Sequence, residues 1–153
     1  MKGDLIQLAL EGNFDTIVHG CNCFCRMGRG IAKSIKEVFP EAYLADQATS
    51  VGDKAKLGTI SSTSVIRPNR PKMGLLTVVN AYTQFTYWGG RGTCLADYDA
   101  IRNCFKLIKK DFGKTRIGYP KIGAGLAGGD WGRIKAIIDE ELDGCNHTLV
   151  ELD

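Results

Sequence analysis

The sequence predicts an α/β domain, with helices on both faces of a mainly parallel sheet. Three observations carry this. Short runs rich in Val, Ile and Thr alternate with amphipathic runs of helical period. The chain has 153 residues, 44% of them hydrophobic, enough for one domain with a core between a sheet and two helical layers. Two glycine-rich loops each run from a strand-like segment directly into a helix-like one.

The elements follow in order. Leu5 to Leu10 predicts a short helix, and Thr16 to Gly20 a buried strand centred on Ile17 and Val18. Gly30 to Val38 predicts a helix stopped by Pro40, and Glu41 to Thr49 a second helix. Gly58 to Ile66 and Leu75 to Thr83 are rich in Thr, Val and Ile and predict strands. Residues 67–74 between them predict a surface hairpin connection, and residues 89–92 a mobile loop. In Asp97 to Phe112, Ile101, Cys104, Phe105 and Ile108 recur at helical spacing. Arg116 to Pro120 predicts a short strand, Asp130 to Leu142 a helix with Ile134, Ile137 and Ile138 on one face, and His147 to Leu152 a closing strand. Residues 1–153 thus read as one domain.

Composition excludes several classes. Charged residues make up 24%, which argues against disorder. The net charge of +3 is scattered, without the basic patch that duplex binding needs, so no direct nucleic-acid contact is expected. No apolar run reaches the ~20 residues of a membrane span, and Met1-Lys2-Gly3-Asp4 opens no signal-peptide core. A cytoplasmic location with reduced cysteines is expected. Cys21, Cys23 and Cys25 form a C-x-C-x-C run. It admits a zinc site, a thiol nucleophile or plain packing at a strand end. No C-x-x-C pair or neighbouring histidine completes a ligand set, which favours packing and implies no metal. No apolar stripe is left over, so a monomer is expected.

The glycine loops sit where a parallel sheet binds ligands, beyond the carboxyl ends of its strands. The first follows the Thr16 strand and contains Gly20, Cys21, Asn22, Met27, Gly28, Arg29, Gly30, Ile31 and Ala32. The second follows the Arg116 strand and contains Ile122, Gly123, Ala124, Gly125, Leu126, Ala127 and Gly128. Glycines let backbone approach a ligand closely, and free N–H groups at a helix start attract anions. Two such loops can enclose a diphosphate; either alone reads equally well as a tight turn. No G-x-x-x-x-G-K-[ST] is present, and Gly123-x-Gly125-x-x-Gly128 falls late in the chain, which disfavours the usual nucleotide hydrolase and dehydrogenase signatures.

Taken together, Gly3-Asp4-Leu5, Ile17-Val18-His19-Gly20-Cys21-Asn22, Gly28-Arg29-Gly30-Ile31-Ala32 and Gly123-Ala124-Gly125-Leu126-Ala127-Gly128 resemble the macro domain in order and spacing. The resemblance covers nearly the whole chain. It implies a three-layer α/β/α fold with a mixed, mainly parallel central sheet, and a site for ADP-ribose without cofactor. It further implies that Asp4 accepts from the adenine amino group, Asn22 holds the distal ribose, Met27 to Ala32 wrap the diphosphate, and Ile122 to Gly128 close over it. On chemistry alone, Asp4 is as well read as a helix cap and Asn22 as a turn residue.

Three branches of that family separate on details. His19-x-Cys21-Asn22-Cys23 resembles the fungal-type phosphatases that act on ADP-ribose 1''-phosphate, which implies a proton-handling role for His19; the plain alternative is a histidine bonded within the strand end. The branch that cleaves ADP-ribose from carboxylates or nucleobases uses a lysine where this chain has Gln84, and some members a carboxylate where it has Ala127. An amide cannot attack as an amine does. A third branch only binds ADP-ribose. Alternation places Asn80, Tyr82 and Gln84 on one strand face, as pocket lining or as satisfied core residues; Tyr87 and Trp88 follow, as a cap on the pocket or as surface packing. His147 reads as structural.

Overall fold

A computed structural model describes residues 1–68, 70–90 and 92–153. Asn69, in the expected hairpin connection, and Arg91, in the expected mobile loop, lie outside the described residues. The chain forms α1 (Leu5–Leu10), β1 (Thr16–Cys21), α2 (Gly30–Val38), α3 (Pro40–Gln47), β2 (Ile60–Ile66), β3 (Leu75–Tyr82), α4 (Tyr98–Phe112), β4 (Ile117–Tyr119), α5 (Trp131–Glu141) and β5 (His147–Leu149). Each segment expected from periodicity is found. Two single-turn 3-10 helices, Lys54–Lys56 and Pro71–Met73, were not expected. Three residues are too few to show a period.

The strands make one sheet in the order β2-β3-β1-β4-β5. β1 runs parallel to β3 and β4, and β4 parallel to β5. β2 is antiparallel to β3, with Ile66 opposite Leu75, because a hairpin rather than a crossover joins them. β4 and β5 are shorter than expected. Pro120 has no N–H to continue the β4 ladder, and the chain turns there into the second glycine loop. β2 begins later than expected, because Gly58 lies in the left-handed region at φ +84° and gives its N–H to the carbonyl of Tyr82.

Side chains alternate across the sheet and sort the core into two layers. Ile17, Leu76 and Val78 pack against Leu5, Ile6 and Ala9 of α1, Ile35 of α2 and Ala42 of α3. Val18, Val79 and Ile117 pack against Ile101, Cys104, Phe105 and Ile108 of α4 and Ile134, Ile137 and Ile138 of α5. The three-layer α/β/α arrangement follows. It also dictates where His19 goes: two residues after Ile17, its side chain points to the α1–α3 side, opposite Asn80 in the β1–β3 register. Among the described residues no helix is long and apolar enough to cross a membrane.

Candidate functional site

The carboxyl ends of β1, β3 and β4 open into a cleft of about 1050 Å³. The first glycine loop walls one side and the second the other, with Gln84, Tyr87, Trp88, Thr93 and Leu95 closing the β3 end. A second cavity, of about 520 Å³ between Lys109–Lys114 and Asp143–Cys145, lies at the amino ends of the strands, away from both loops.

The first loop is held from beneath. Asn22 Oδ1 accepts from the Phe24 and Arg26 N–H groups at 2.9 and 3.4 Å, and its Nδ2 donates to the Arg26 carbonyl at 2.8 Å. Cys25 sits at φ +55° with its thiol donating to the Asp46 carbonyl at 3.1 Å. The buried Lys56 reaches the Cys23 carbonyl at 3.2 Å and Cys25 Sγ at 3.4 Å. Residues 22–26 are thereby fixed, while Gly28, Arg29 and Gly30 remain exposed at the start of α2. No side chain caps α2, so its first-turn N–H groups stay available to an anion.

The second loop faces the first closely. The Gly129 N–H donates to the Gly123 carbonyl at 2.7 Å, with Gly123 and Gly128 both at positive φ. A Cβ built on Gly30 would lie 3.8 Å from Leu126 Cδ1, across the cleft, whereas one on Gly28 or Gly125 would meet nothing within 4 Å. Those two glycines expose bare backbone to the cleft. Its charged lining consists of Arg26, Arg29, Lys36 and Lys121, with no Asp or Glu among the described lining residues. An anionic ligand fits such a wall.

A family model for the macro domain matches residues 18–138, and therefore most of the chain and both loops. The chain belongs to the macro domain family. It is 35% identical over 145 residues to an uncharacterised 17.5 kDa protein from the tk-vs intergenic region of Enterobacteria phage T4, covering 91% of this chain and 86% of that one. It is 27% identical over 141 residues to the ADP-ribose 1''-phosphate phosphatase of Candida albicans, covering 92% and 90%. Among solved structures, Thermosipho africanus DarTG in complex with ADP-ribose superposes with a TM-score of 0.70 at 17% identity, over 99% of this chain and 40% of that one.

Of the residues the macro domain resemblance implied, Gly20, Cys21, Asn22, Met27 to Ala32, Ile122, Gly123, and Gly125 to Gly128 line the cleft. Ala124 lies in the second loop but not on the lining. Gly3, Asp4 and Leu5 also lie off the lining. Asp4 caps α1, with Oδ1 accepting from the Gln7 N–H at 3.0 Å. It stays near one end: the Gly3 N–H donates to the Glu151 carbonyl, and the Glu151 carboxylate pairs with the cleft residue Lys121 at 3.2 Å.

The structure places three of the candidate site residues, His19, Asn80 and Tyr82, in the interior. His19 does not reach the cleft: its ring is wholly buried, with Nε2 bonded to Asn80 Oδ1 at 2.6 Å. Burial pushes its pKa down to about 4, against a weaker raising effect of the Asn80 bond, so the ring is neutral near pH 7. Asn80 and Tyr82 belong to the same interior. Asn80 Nδ2 donates to the Ala42 carbonyl and Ser61 Oγ, and Tyr82 Oη to Asp46 Oδ1 at 2.8 Å. Only Gln84 of that trio lines the cleft, because β3 ends at Tyr82 and strict alternation ends with it. Cys21 lines the cleft too, but burial raises its thiol well above the usual range and also raises that of Cys23, so neither presents a thiolate at neutral pH.

Sequence reading missed Arg26, Lys36, Tyr43 and Lys121 as lining residues. Lys36 had a usable signal, since it falls four residues after Ala32 on the same face of α2. Arg26, in an irregular loop, had none. Tyr87 and Trp88 do flank the cleft mouth, 41% and 68% exposed.

Proposed function

We propose that this macro domain binds ADP-ribose 1''-phosphate and hydrolyses it to ADP-ribose and phosphate. One observation carries the reading: the cleft between the glycine loops is walled by Arg26, Arg29, Lys36 and Lys121 and by no carboxylate among the described residues. A ligand with three phosphate groups suits that wall better than one whose leaving group is neutral. The named phosphatase from Candida albicans, similar over nearly the full chain, supports the same substrate, and the ADP-ribose complex of a protein of like fold supports the ligand class.

In this reading the N–H groups of 28–32 and 123–128 take the diphosphate. Asn22, buried in its own loop bonds, shapes the distal-ribose end through the backbone it holds. Asp4 keeps Oδ2 for the adenine amino group at the Lys121 end while Oδ1 caps α1. Gln84 Nε2 donates to the Thr86 carbonyl at 2.8 Å, which fixes the amide and turns Oε1 into the acceptor for an attacking water. That water attacks phosphorus, the bond from phosphorus to the sugar oxygen breaks, and the water's proton passes to the departing oxygen. His19 supplies no proton; most of the rate comes from positioning and from charge stabilisation by loop donors.

The buried His19 and the protonated thiols favour a second reading, a module that binds ADP-ribose without chemistry. Phosphate release from ADP-ribose 1''-phosphate separates the two. Release by the wild type, with kcat lowered in Gln84→Leu at unchanged ADP-ribose affinity, supports hydrolysis. Binding without release leaves the module, and release of ADP-ribose from a modified protein with no phosphate release defeats the proposal.

A further inference from the structure

The glycine loops offer backbone donors for two phosphates. A third, terminal phosphate needs a cation of its own, and the four that line the cleft are not equivalent. Lys121 is paired with Glu151 at 3.2 Å and lies at the Asp4 end. Lys36 holds its Nζ 4.1 Å from the Tyr43 ring centroid on the α2–α3 side. Arg29 stands in the diphosphate loop itself, at the start of α2. Arg26 lies over the Tyr87 ring, against the segment that follows β3, and pairs with no carboxylate among the described residues.

Arg26 is also braced. Its guanidinium carbon sits 5.4 Å from the Tyr87 ring centroid. Tyr87 meets Phe24 edge to face at 6.1 Å, and Phe24 meets Phe85 in the same way at 5.1 Å. The Arg26 carbonyl is held by Asn22 Nδ2 at 2.8 Å. This aromatic cluster joins the first loop to the segment after β3. Over the Tyr87 ring the Arg26 guanidinium has no carboxylate partner among the described residues, so its N–H groups are left for the fork that matches two oxygens of a phosphate. A lysine at this place would supply charge without the fork.

We infer that Arg26, braced on Tyr87, is the specificity residue for a terminal phosphomonoester, and separates ADP-ribose 1''-phosphate from ADP-ribose. The inference rests on the ADP-ribose reading of the cleft, not on turnover. Arg26 and Tyr87 are both exposed, so substitution leaves the core intact.

The test measures affinity for both ligands, ADP-ribose by calorimetry and ADP-ribose 1''-phosphate by rapid competition before turnover. Arg26→Gln should weaken the 1''-phosphate about tenfold or more, the size of one charge-assisted contact, with ADP-ribose affinity within about twofold of wild type. Arg26→Lys should fall between, and Tyr87→Leu should show a smaller loss of the same selectivity. Equal weakening of both ligands by Arg26→Gln, or of neither, overturns the inference. A wild type that shows the Arg26-dependent preference but releases no phosphate upholds the inference while defeating hydrolysis. A wild type that releases phosphate with kcat/KM unchanged in Arg26→Gln defeats the inference alone.

Discussion

His19 Nε2 and Asn80 Oδ1 lie 2.6 Å apart in a wholly buried pair that ties β1 to β3. The amide oxygen only accepts, so Nε2 carries a proton in this bond. Burial holds its pKa near 4, against an ordinary value of about 6.5. The unfolded chain therefore takes up this proton at a higher pH than the fold does. Stability tied to the neutral ring is full above pH ~6.5 and drains as pH falls toward 4, by up to roughly 3 kcal/mol. Urea unfolding between pH 7.5 and 4 should show this loss in the wild type and a flatter profile in His19→Gln. The same variant should keep its ADP-ribose affinity. Parallel pH profiles for the two proteins would show that the ring titrates normally.

Much of this fold was legible because its signals are periodic. Ile101, Cys104, Phe105 and Ile108 marked α4 by spacing alone, and all four are buried in the core. The glycine loops were legible because strand, loop and helix follow one another without interruption. What escaped was direction at the strand ends. His19 reads in sequence as the residue before a ligand loop, but its parity with Ile17 turns it into the interior. Asn80 and Tyr82 go with it, while Gln84, beyond the last ladder residue, turns to the cleft. The support under the first loop was also invisible. Lys56 comes from a single 3-10 turn far along the chain, and nothing local marks it for burial.

Asp4 has two separable jobs. Its Oδ1 caps α1 through the Gln7 N–H at 3.0 Å. Asparagine preserves that cap, whereas alanine removes it at a cost of about 1 kcal/mol. If Oδ2 serves adenine, Asp4→Asn should retain thermal stability yet weaken ADP-ribose, because an amide NH₂ facing the adenine amino group would set donor against donor. Asp4→Ala should lose both. An Asp4→Asn protein with wild-type affinity would leave Asp4 with the cap alone.

Thr83 Oγ1 is buried and has no hydrogen-bond partner among the described residues. A Cβ on Gly20 would lie 2.8 Å from that oxygen and 3.2 Å from Ile122 Cγ2. Thr83→Val keeps the shape and removes the unmet hydroxyl, so the protein should gain roughly 1 kcal/mol. Gly20→Ala should lose about 1–3 kcal/mol by overpacking. Adding Thr83→Ala should return part of that loss, a coupling that chemical denaturation reads as a double-mutant cycle. A destabilised Thr83→Val would instead mean that the hydroxyl bonds a water or ligand at the cleft floor.

Gly28 and Gly125 separate binding from folding. Neither lies at positive φ, and a Cβ on either meets nothing within 4 Å. Alanine at these positions should leave stability within about 0.5 kcal/mol of wild type. A diphosphate seated on the bare backbone would meet the new methyl groups, so ADP-ribose affinity should fall tenfold or more, on the order of one lost charge-assisted contact. Gly128 is the contrast: at φ +71°, with a Cβ only 3.0 Å from the Thr93 carbonyl oxygen, its alanine variant should lose stability as well as binding. Thermal melts and ADP-ribose titrations of the three variants decide the matter. Unchanged affinity in both Gly28→Ala and Gly125→Ala would mean that the ligand does not rest between the two loops.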